Sequence, residues 1–268
     1  MTSADQVPKA RLVETAHELA DASASVLLGH FRKPLPVDNK ASGTAFDPVT
    51  EADRGAERAI RARLAELHPT HGILGEEMGE TGGSSPYTWV IDPLDGTRAF
   101  ITGMPLWGTL IGVTQAGRAE IGLMDQPYTR ERVWSGPDAT FWRSTDGSTA
   151  RVETSPCARL AEARLTTTSP DLFTAGHEQE AFSRLKAEAR LTRFGGDCYA
   201  YCLLAAGHID IVVEAGLKAY DIVALIPIIE RAGGVVTTWD GGRAEDGGRI
   251  VACGDPRLHE VVLRMLAD

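Results

Sequence analysis

The spacing of apolar positions divides the chain into segments before any side-chain chemistry is considered. Between residues 8 and 30, Leu12, Val13, Ala16, Leu19, Ala20, Val26 and Leu27 recur at helical intervals and give way near Gly29, which predicts an amphipathic first helix. Ala56, Ile60, Leu64 and Leu67 mark a second helical face, with Thr50 or Asp53 as its cap and Pro69 just past its end. The period then shortens. "GILG" (72–75) and "TWVID" (88–92) read as strands, and "WGTLIGVTQAGRAEIGLMDQP" (107–127) as two β-rich runs joined by a turn at Ala116-Gly117, an antiparallel sheet. Residues 135–160 carry weak strand signals among many turn formers, so loops and edge strands are expected there.

The second half alternates more clearly. Strands are expected at "ARLTTTS" (163–169), "IDIVVEAG" (209–216), "GVVTTW" (234–239) and "RIVACG" (249–254). Helices are expected at "EQEAFSRLKAEA" (178–189), "CYAYCLLAAG" (198–207), "YDIVALIPIIERAGG" (220–234) and "PRLHEVVLRMLA" (256–267). Pro227 lies inside the third of these, where it should kink or interrupt the helix. No repeat or Gly/Ser linker is evident, and the class is mixed α and β, in layers.

Composition narrows the possibilities. At 268 residues the chain can bury a sizeable core and is expected to form one domain, 1–268, of two packed lobes dividing near residue 150. A net charge of −10 argues against nucleic acid as a partner, and an acidic protein that handles phosphate needs positive charge from elsewhere, such as bound metal. There is no apolar run of membrane-spanning length, so no membrane partner is expected. Cys157, Cys198, Cys202 and Cys253 form no C-x-x-C pair and nothing resembles a signal peptide, which suits reduced thiols in the cytoplasm.

Acidic residues collect at the ends of apolar segments: Asp53, Glu76, Glu77, Asp92, Asp95, Glu214 and Asp221. In "WVIDPLDGTRAF" (89–100) an apolar strand ends in two carboxylates, a glycine and a hydroxyl. Hard divalent cations take such oxygen ligands, and Glu76, Asp92, Asp95 and Asp221 form a plausible set for Mg²⁺. Gly96 lets backbone approach an anion closely, and the Gly96 and Thr97 N–H groups would face phosphate if a helix begins there. Each piece also has a plainer account. Asp-x-x-Asp-Gly-Thr can be a strand-ending turn, Asp53 a helix cap, Glu76-Glu77 a solvated loop, and Lys40 a solvated lysine. His71 and His208 read as structural, and Trp107 as core.

Together, "DPVTEAD" (47–53), "GEE" (75–77), "WVIDPLDGT" (89–97), "GGDCYAYCLLAAGHIDIVVEAGLKAYD" (195–221) and "AGGVV" (232–236) resemble the inositol monophosphatase superfamily of metal-dependent, lithium-sensitive phosphatases. The resemblance runs in the family's order from about Lys40 to Gly254. It implies an α+β fold, the layered α/β/α/β/α sandwich of the inositol monophosphatase and fructose-1,6-bisphosphatase type, assembled as a homodimer. It also implies two or three Mg²⁺ ions, with Mn²⁺ as substitute and Li⁺ as inhibitor. Glu76, Asp92 and the Leu94 carbonyl match the first metal site, and Asp92, Asp95 and Asp221 the second. Asp53 matches the acid that works with Thr97 beside the attacking water, Glu76 also faces that site, and Gly96 and Thr97 match the phosphate cradle.

Within the superfamily, "RAFITGMPLWGTLIGV", "DQPYTRERVWSG", "GGDCYAY" and "EAGLKAYDIVALIPIIERAGG" look like the histidinol-phosphatase branch. Asp197 stands where inositol-specific members carry a small or hydroxyl residue, and Glu214 matches a contact to the non-phosphate part of the substrate. Two carboxylates there suit a cationic amine, although Asp197 can also be read as the N-cap of the following helix. The implied activity is hydrolysis of L-histidinol phosphate by direct water attack. Inositol 1-phosphate or a nucleotide bisphosphate is the alternative substrate, and a silent metal- or phosphate-binding regulator is the alternative class. The Asp-x-x-Asp spacing differs from the Asp-x-Asp of phosphatases with an aspartyl nucleophile.

Overall fold

A computed structural model describes residues 7–40 and 48–267. Asp47, the first residue of "DPVTEAD", lies outside the described residues. In chain order the elements begin with helix α1 (Lys9–His30), strands β1 (Val37–Asn39) and β2 (Pro48–Thr50), and helix α2 (Glu51–Leu67). Next come β3 (Gly72–Gly75), β4 (Gly79–Thr81), β5 (Tyr87–Asp95), the short α3 (Thr97–Ile101), β6 (Gly108–Gln115), β7 (Arg118–Gln126), β8 (Glu131–Ser135), β9 (Thr140–Arg143) and β10 (Thr149–Val152). The remainder comprises β11 (Arg164–Thr167), α4 (His177–Glu188), β12 (Leu191–Phe194), α5 (Asp197–Ala205), β13 (Ile211–Leu217), α6 (Ala219–Ile222), α7 (Leu225–Arg231), β14 (Val235–Thr238), β15 (Gly248–Cys253) and α8 (Pro256–Ala267).

An eight-stranded sheet runs β10-β9-β8-β7-β6-β5-β3-β4, antiparallel except where β3 pairs parallel with β5. A five-stranded mixed sheet runs β12-β11-β13-β15-β14. Alternation along the strands sends neighbours to opposite faces. Ile111 and Val113 meet Leu12, Leu19, Ile60 and Leu64 of α1 and α2 on one side. Leu110 and Met124 meet Tyr201, Ile226 and Ile229 of α5 and α7 on the other, together with Val212 and Ile250 of the second sheet. The far face of that sheet, Ile211, Val213 and Val251, packs on Phe182, Leu258 and Val262 of α4 and α8. The order is helix, sheet, helix, sheet, helix, the layered sandwich the sequence implied. Both faces of each sheet are covered, so "TLIGV" and "DIVV" read as continuous apolar runs.

The segment 220–234 is interrupted, as Pro227 predicts. α6 ends at Ile222 and α7 restarts at Leu225, which leaves Pro227 in a first turn where its missing donor is not needed. Beyond the sequence reading lie the two-stranded β1-β2 sheet, β4 and β12, all short. Residues 135–160 form β9 as an inner strand and β10 as an edge. Trp107 is core, packed on Phe31 and Phe100. His71 is structural and accepts the Trp89 indole N–H at 3.0 Å. His208 is instead exposed, and it contributes its backbone N–H to the Leu203 carbonyl at the end of α5.

No described helix is long and apolar enough to cross a membrane. All four cysteines are free.

Candidate active site

β5 carries the centre of the site and does so through an irregularity. Along a regular strand, residues three apart point to opposite faces. Here Asp92 pairs with Leu110 and Asp95 with Gly108, so Pro93 and Leu94 together oppose Thr109 alone, a β-bulge. Pro93 has no N–H to leave unpaired, and its carbonyl accepts the Thr109 hydroxyl at 2.9 Å. The bulge turns Asp92 and Asp95 to one side, where they meet Asp221 from the first turn of α6. One carboxylate oxygen from each of the three lies within 4.8 Å of the others.

One oxygen of each carboxylate is held by a backbone N–H. Leu94 donates to Asp92 Oδ1 at 2.9 Å, Cys198 to Asp95 Oδ2 at 2.6 Å, and Lys218 to Asp221 Oδ2 at 2.6 Å. Burial pushes Asp92 and Asp95 well above the usual carboxylate range, and the crowding of like charges adds to it. Asp221 is pushed up to about 7, by burial first and then by Glu76 and Glu214, against the opposing Lys218 N–H. An all-oxygen set of mutually repelling, backbone-anchored carboxylates fits a hard divalent cation.

Glu76 follows β3 at the turn, its N–H bound to the Ile91 carbonyl at 3.1 Å and its carboxylate adjoining Asp92. Lys40 bridges Glu76 Oε1 at 2.8 Å and Glu77 Oε1 at 2.7 Å, so neither the lysine nor the acidic pair is simply solvated. Burial disfavours the lysine's charge, yet its two carboxylate partners raise its pKa.

Thr50, not Asp53, is the N-cap of α2, accepting the Ala52 N–H at 3.1 Å. Asp53 sits three residues in and closes a capping box, its Oδ2 accepting the Thr50 N–H at 2.8 Å. That arrangement frees Oδ1, which accepts the Thr97 hydroxyl at 3.2 Å. The same hydroxyl lies 3.1 Å from the Leu94 carbonyl. Burial raises the Asp53 pKa despite these hydrogen bonds. α3 begins at Thr97, with Gly96 preceding it at φ 82°. A side chain at Gly96 would meet the Leu106 carbonyl at 2.9 Å.

A cavity of about 150 Å³ joins this centre to the residues singled out for substrate, lined by Asp95, Asp221, Asp197, Glu214, Tyr201 and Thr168 among others. Asp197 is not an N-cap: Gly196 holds that position and Asp197 opens α5 at φ 44°. Burial pushes it up to about 7, with the Glu214 charge adding and the Arg98 charge opposing. Glu214 is buried, with Oε1 accepting the Thr168 N–H at 2.9 Å and hydroxyl at 2.6 Å, and Oε2 the Tyr201 hydroxyl at 3.3 Å. Thr168 and Tyr201 were not singled out by sequence. The hydroxyl run "TTTS" and a tyrosine one turn after Asp197 are the signals that could have found them.

Comparison with known proteins shows the family of the chain. The profile of the inositol monophosphatase family matches residues 9–268. The bifunctional phosphatase IMPL2, chloroplastic, of Arabidopsis thaliana is 40% identical over 267 residues, covering 96% of this chain and 75% of its own. A histidinol-phosphatase of Mycobacterium tuberculosis is 35% identical, covering 87% and 88% respectively. Among solved structures, an inositol monophosphatase from Zymomonas mobilis superposes with a TM-score of 0.85 at 40% identity, covering 98% of this chain and all (100%) of that one. The chain belongs to the inositol monophosphatase family.

Proposed function

We propose that the protein is a Mg²⁺-dependent histidinol-phosphatase, releasing phosphate from L-histidinol phosphate. Family membership carries the coarser activity, metal-dependent hydrolysis of small phosphate monoesters. The finer reading is supported by one observation above all: the cavity that opens from Asp95 and Asp221 continues to two carboxylates, the half-buried Asp197 and the buried Glu214. A polyol does not need two negative charges beside it, whereas an ammonium or imidazolium does. The names of relatives such as the Mycobacterium tuberculosis histidinol-phosphatase point the same way.

In this reading Asp92, Asp95, Asp221, Glu76 and the Leu94 carbonyl hold the cations. When bound, the ions supply Lewis acidity, activating water and offsetting charge on the phosphoryl oxygens. The Thr97 proton is committed to Asp53 or to the Leu94 carbonyl, so the hydroxyl's lone pairs face the cleft and orient the attacking water. Asp53, its proton affinity raised by burial, is the terminal base of that relay. The Gly96 and Thr97 amides position the phosphate. The working unit is a homodimer.

The test compares kcat/KM for histidinol phosphate, inositol 1-phosphate and adenosine 3′,5′-bisphosphate in wild type and Asp197→Asn. The substitution should cost about tenfold to hundredfold on histidinol phosphate, the value of a charge-assisted hydrogen bond, and little on the others. Faster wild-type turnover of either rival would retire the histidinol assignment.

A further inference from the structure

One turn beyond Asp53, helix α2 sends a second carboxylate inward. Glu57 is 0% exposed. Its Oε2 accepts the Glu77 backbone N–H at 2.7 Å, and its Oε1 accepts the Met78 N–H at 3.2 Å and Arg61 Nε at 2.7 Å. Arg61 continues to the Thr81 hydroxyl at 2.9 Å and the Gly79 carbonyl at 2.5 Å, tying α2 to β4. On its other side the carboxylate presses against Gly75, where a Cβ would lie 2.1 Å from Glu57 Oε1 and 2.5 Å from its Cδ.

Two independent features converge on this group: backbone donors aimed at it, and a glycine that makes room for it. Between Gly75 and Glu77 sits Glu76, whose carboxylate adjoins Asp92. A buried anion beside an already crowded acidic centre is costly, and an apolar side chain would fill the same volume more cheaply. What only an anion supplies here is a fixed acceptor for consecutive amides of the turn.

We infer that Glu57 is a positioning residue for the metal centre, fixing the 75–78 turn through the Glu77 and Met78 amides so that Glu76 faces Asp92 in a preset geometry. The inference rests on the proposed role of Glu76 as a metal ligand. α2 then serves the site twice, presenting Asp53 to Thr97 directly and Glu76 to the cations through Glu57.

The experiment titrates Mn²⁺ and Mg²⁺ calorimetrically into chelator-treated full-length protein, for wild type, Glu57→Gln, Glu76→Gln and the double variant. Glutamine keeps the shape but turns an N–H toward an amide or toward Arg61. Glu57→Gln should weaken metal binding about tenfold, as removal of a group that orients a ligand does. The double variant should bind no more weakly than Glu76→Gln alone, because Glu57 acts through that residue. A lowered Tm with unchanged metal affinity in Glu57→Gln assigns it a merely structural role and overturns the inference, as do additive losses in the double variant. Unchanged affinity in Glu76→Gln removes the ligand reading of Glu76 and the inference with it. Should Glu57→Gln fail to fold, Arg61→Gln loosens the same carboxylate from its solvent-facing side, and unchanged affinity there is equally decisive against it.

Discussion

Replacing a metal ligand by its amide should stabilise the metal-free protein. Asp221 is pushed up to about 7 in the folded state, whereas in the unfolded chain it ionises near its ordinary value of 3.8. A raised carboxylate contributes stability that is fully present below about pH 4 and is lost as pH rises through about 7. At 1.36 kcal/mol per pH unit, that loss is about 4 kcal/mol, or roughly 10 °C in Tm for a chain of this size. Asp221→Asn never gains or loses it. Burial holds His17 and His71 down at about 4, which gives the opposite slope below pH 6.5, but they are common to both proteins and cancel in the difference. In chelator, the two proteins should therefore be similar in stability near pH 4, with the variant more stable above about pH 7. Mg²⁺ at about a thousandfold excess over Kd should close that gap, since wild type gains about 4.1 kcal/mol there and the variant far less. Thermal and urea unfolding across this range, with chelator and with Mg²⁺, provide the measurement. Parallel stability curves in chelator would refute the claim that the crowded carboxylates oppose folding until a cation arrives.

Further outcomes follow from the same geometry. Thr97→Val removes the hydroxyl shared by Asp53 and Leu94 and should lower kcat about hundredfold with little change in KM, read by phosphate release. A change confined to KM would contradict its assigned place beside the attacking water. Gly96→Ala must adopt φ 82° and push its Cβ against the Leu106 carbonyl. It should cost about 1–2 kcal/mol in backbone strain and about as much again in packing, and a urea midpoint unchanged from wild type would count against this conformation. Asp197 ionises only near neutrality, so kcat/KM for an ammonium-bearing monoester should rise as pH climbs through about 7, and Asp197→Asn should flatten that rise. An unaltered profile in the variant would free Asp197 from this role.

What the sequence made legible was local. Asp92, Asp95, Gly96 and Thr97 share one strand-turn-helix passage, so their proximity needs no knowledge of the fold. Asp53 was visible as a residue at a helix start, although its division of labour between Thr50 and Thr97 depends on α3 arriving across the cleft. Glu57 was invisible for a physical reason: followed by Arg61 four residues on, it has the pattern of a solvated ion pair. Only packing of the 75–78 turn onto α2 turns it inward. Lys40 was misread as solvated because its partners lie 36 and 37 residues away. Strands β4 and β12 have three and four residues, too few for a period to be recognised.

The bulge in β5 has a consequence for how such sites can be rebuilt or recognised. Side-chain direction along a strand is a matter of parity, and two ligands at odd spacing can share a face only where the count slips by one. Deleting Leu94 would restore the alternation and shorten the pair to Asp-x-Asp, returning both side chains to a common face without the extra residue whose carbonyl lies beside Thr97. Thr97 would then be shifted by one residue relative to Asp92 and would lose the carbonyl that its hydroxyl meets. A graft of this centre onto another sheet must therefore carry the irregularity along with the carboxylates.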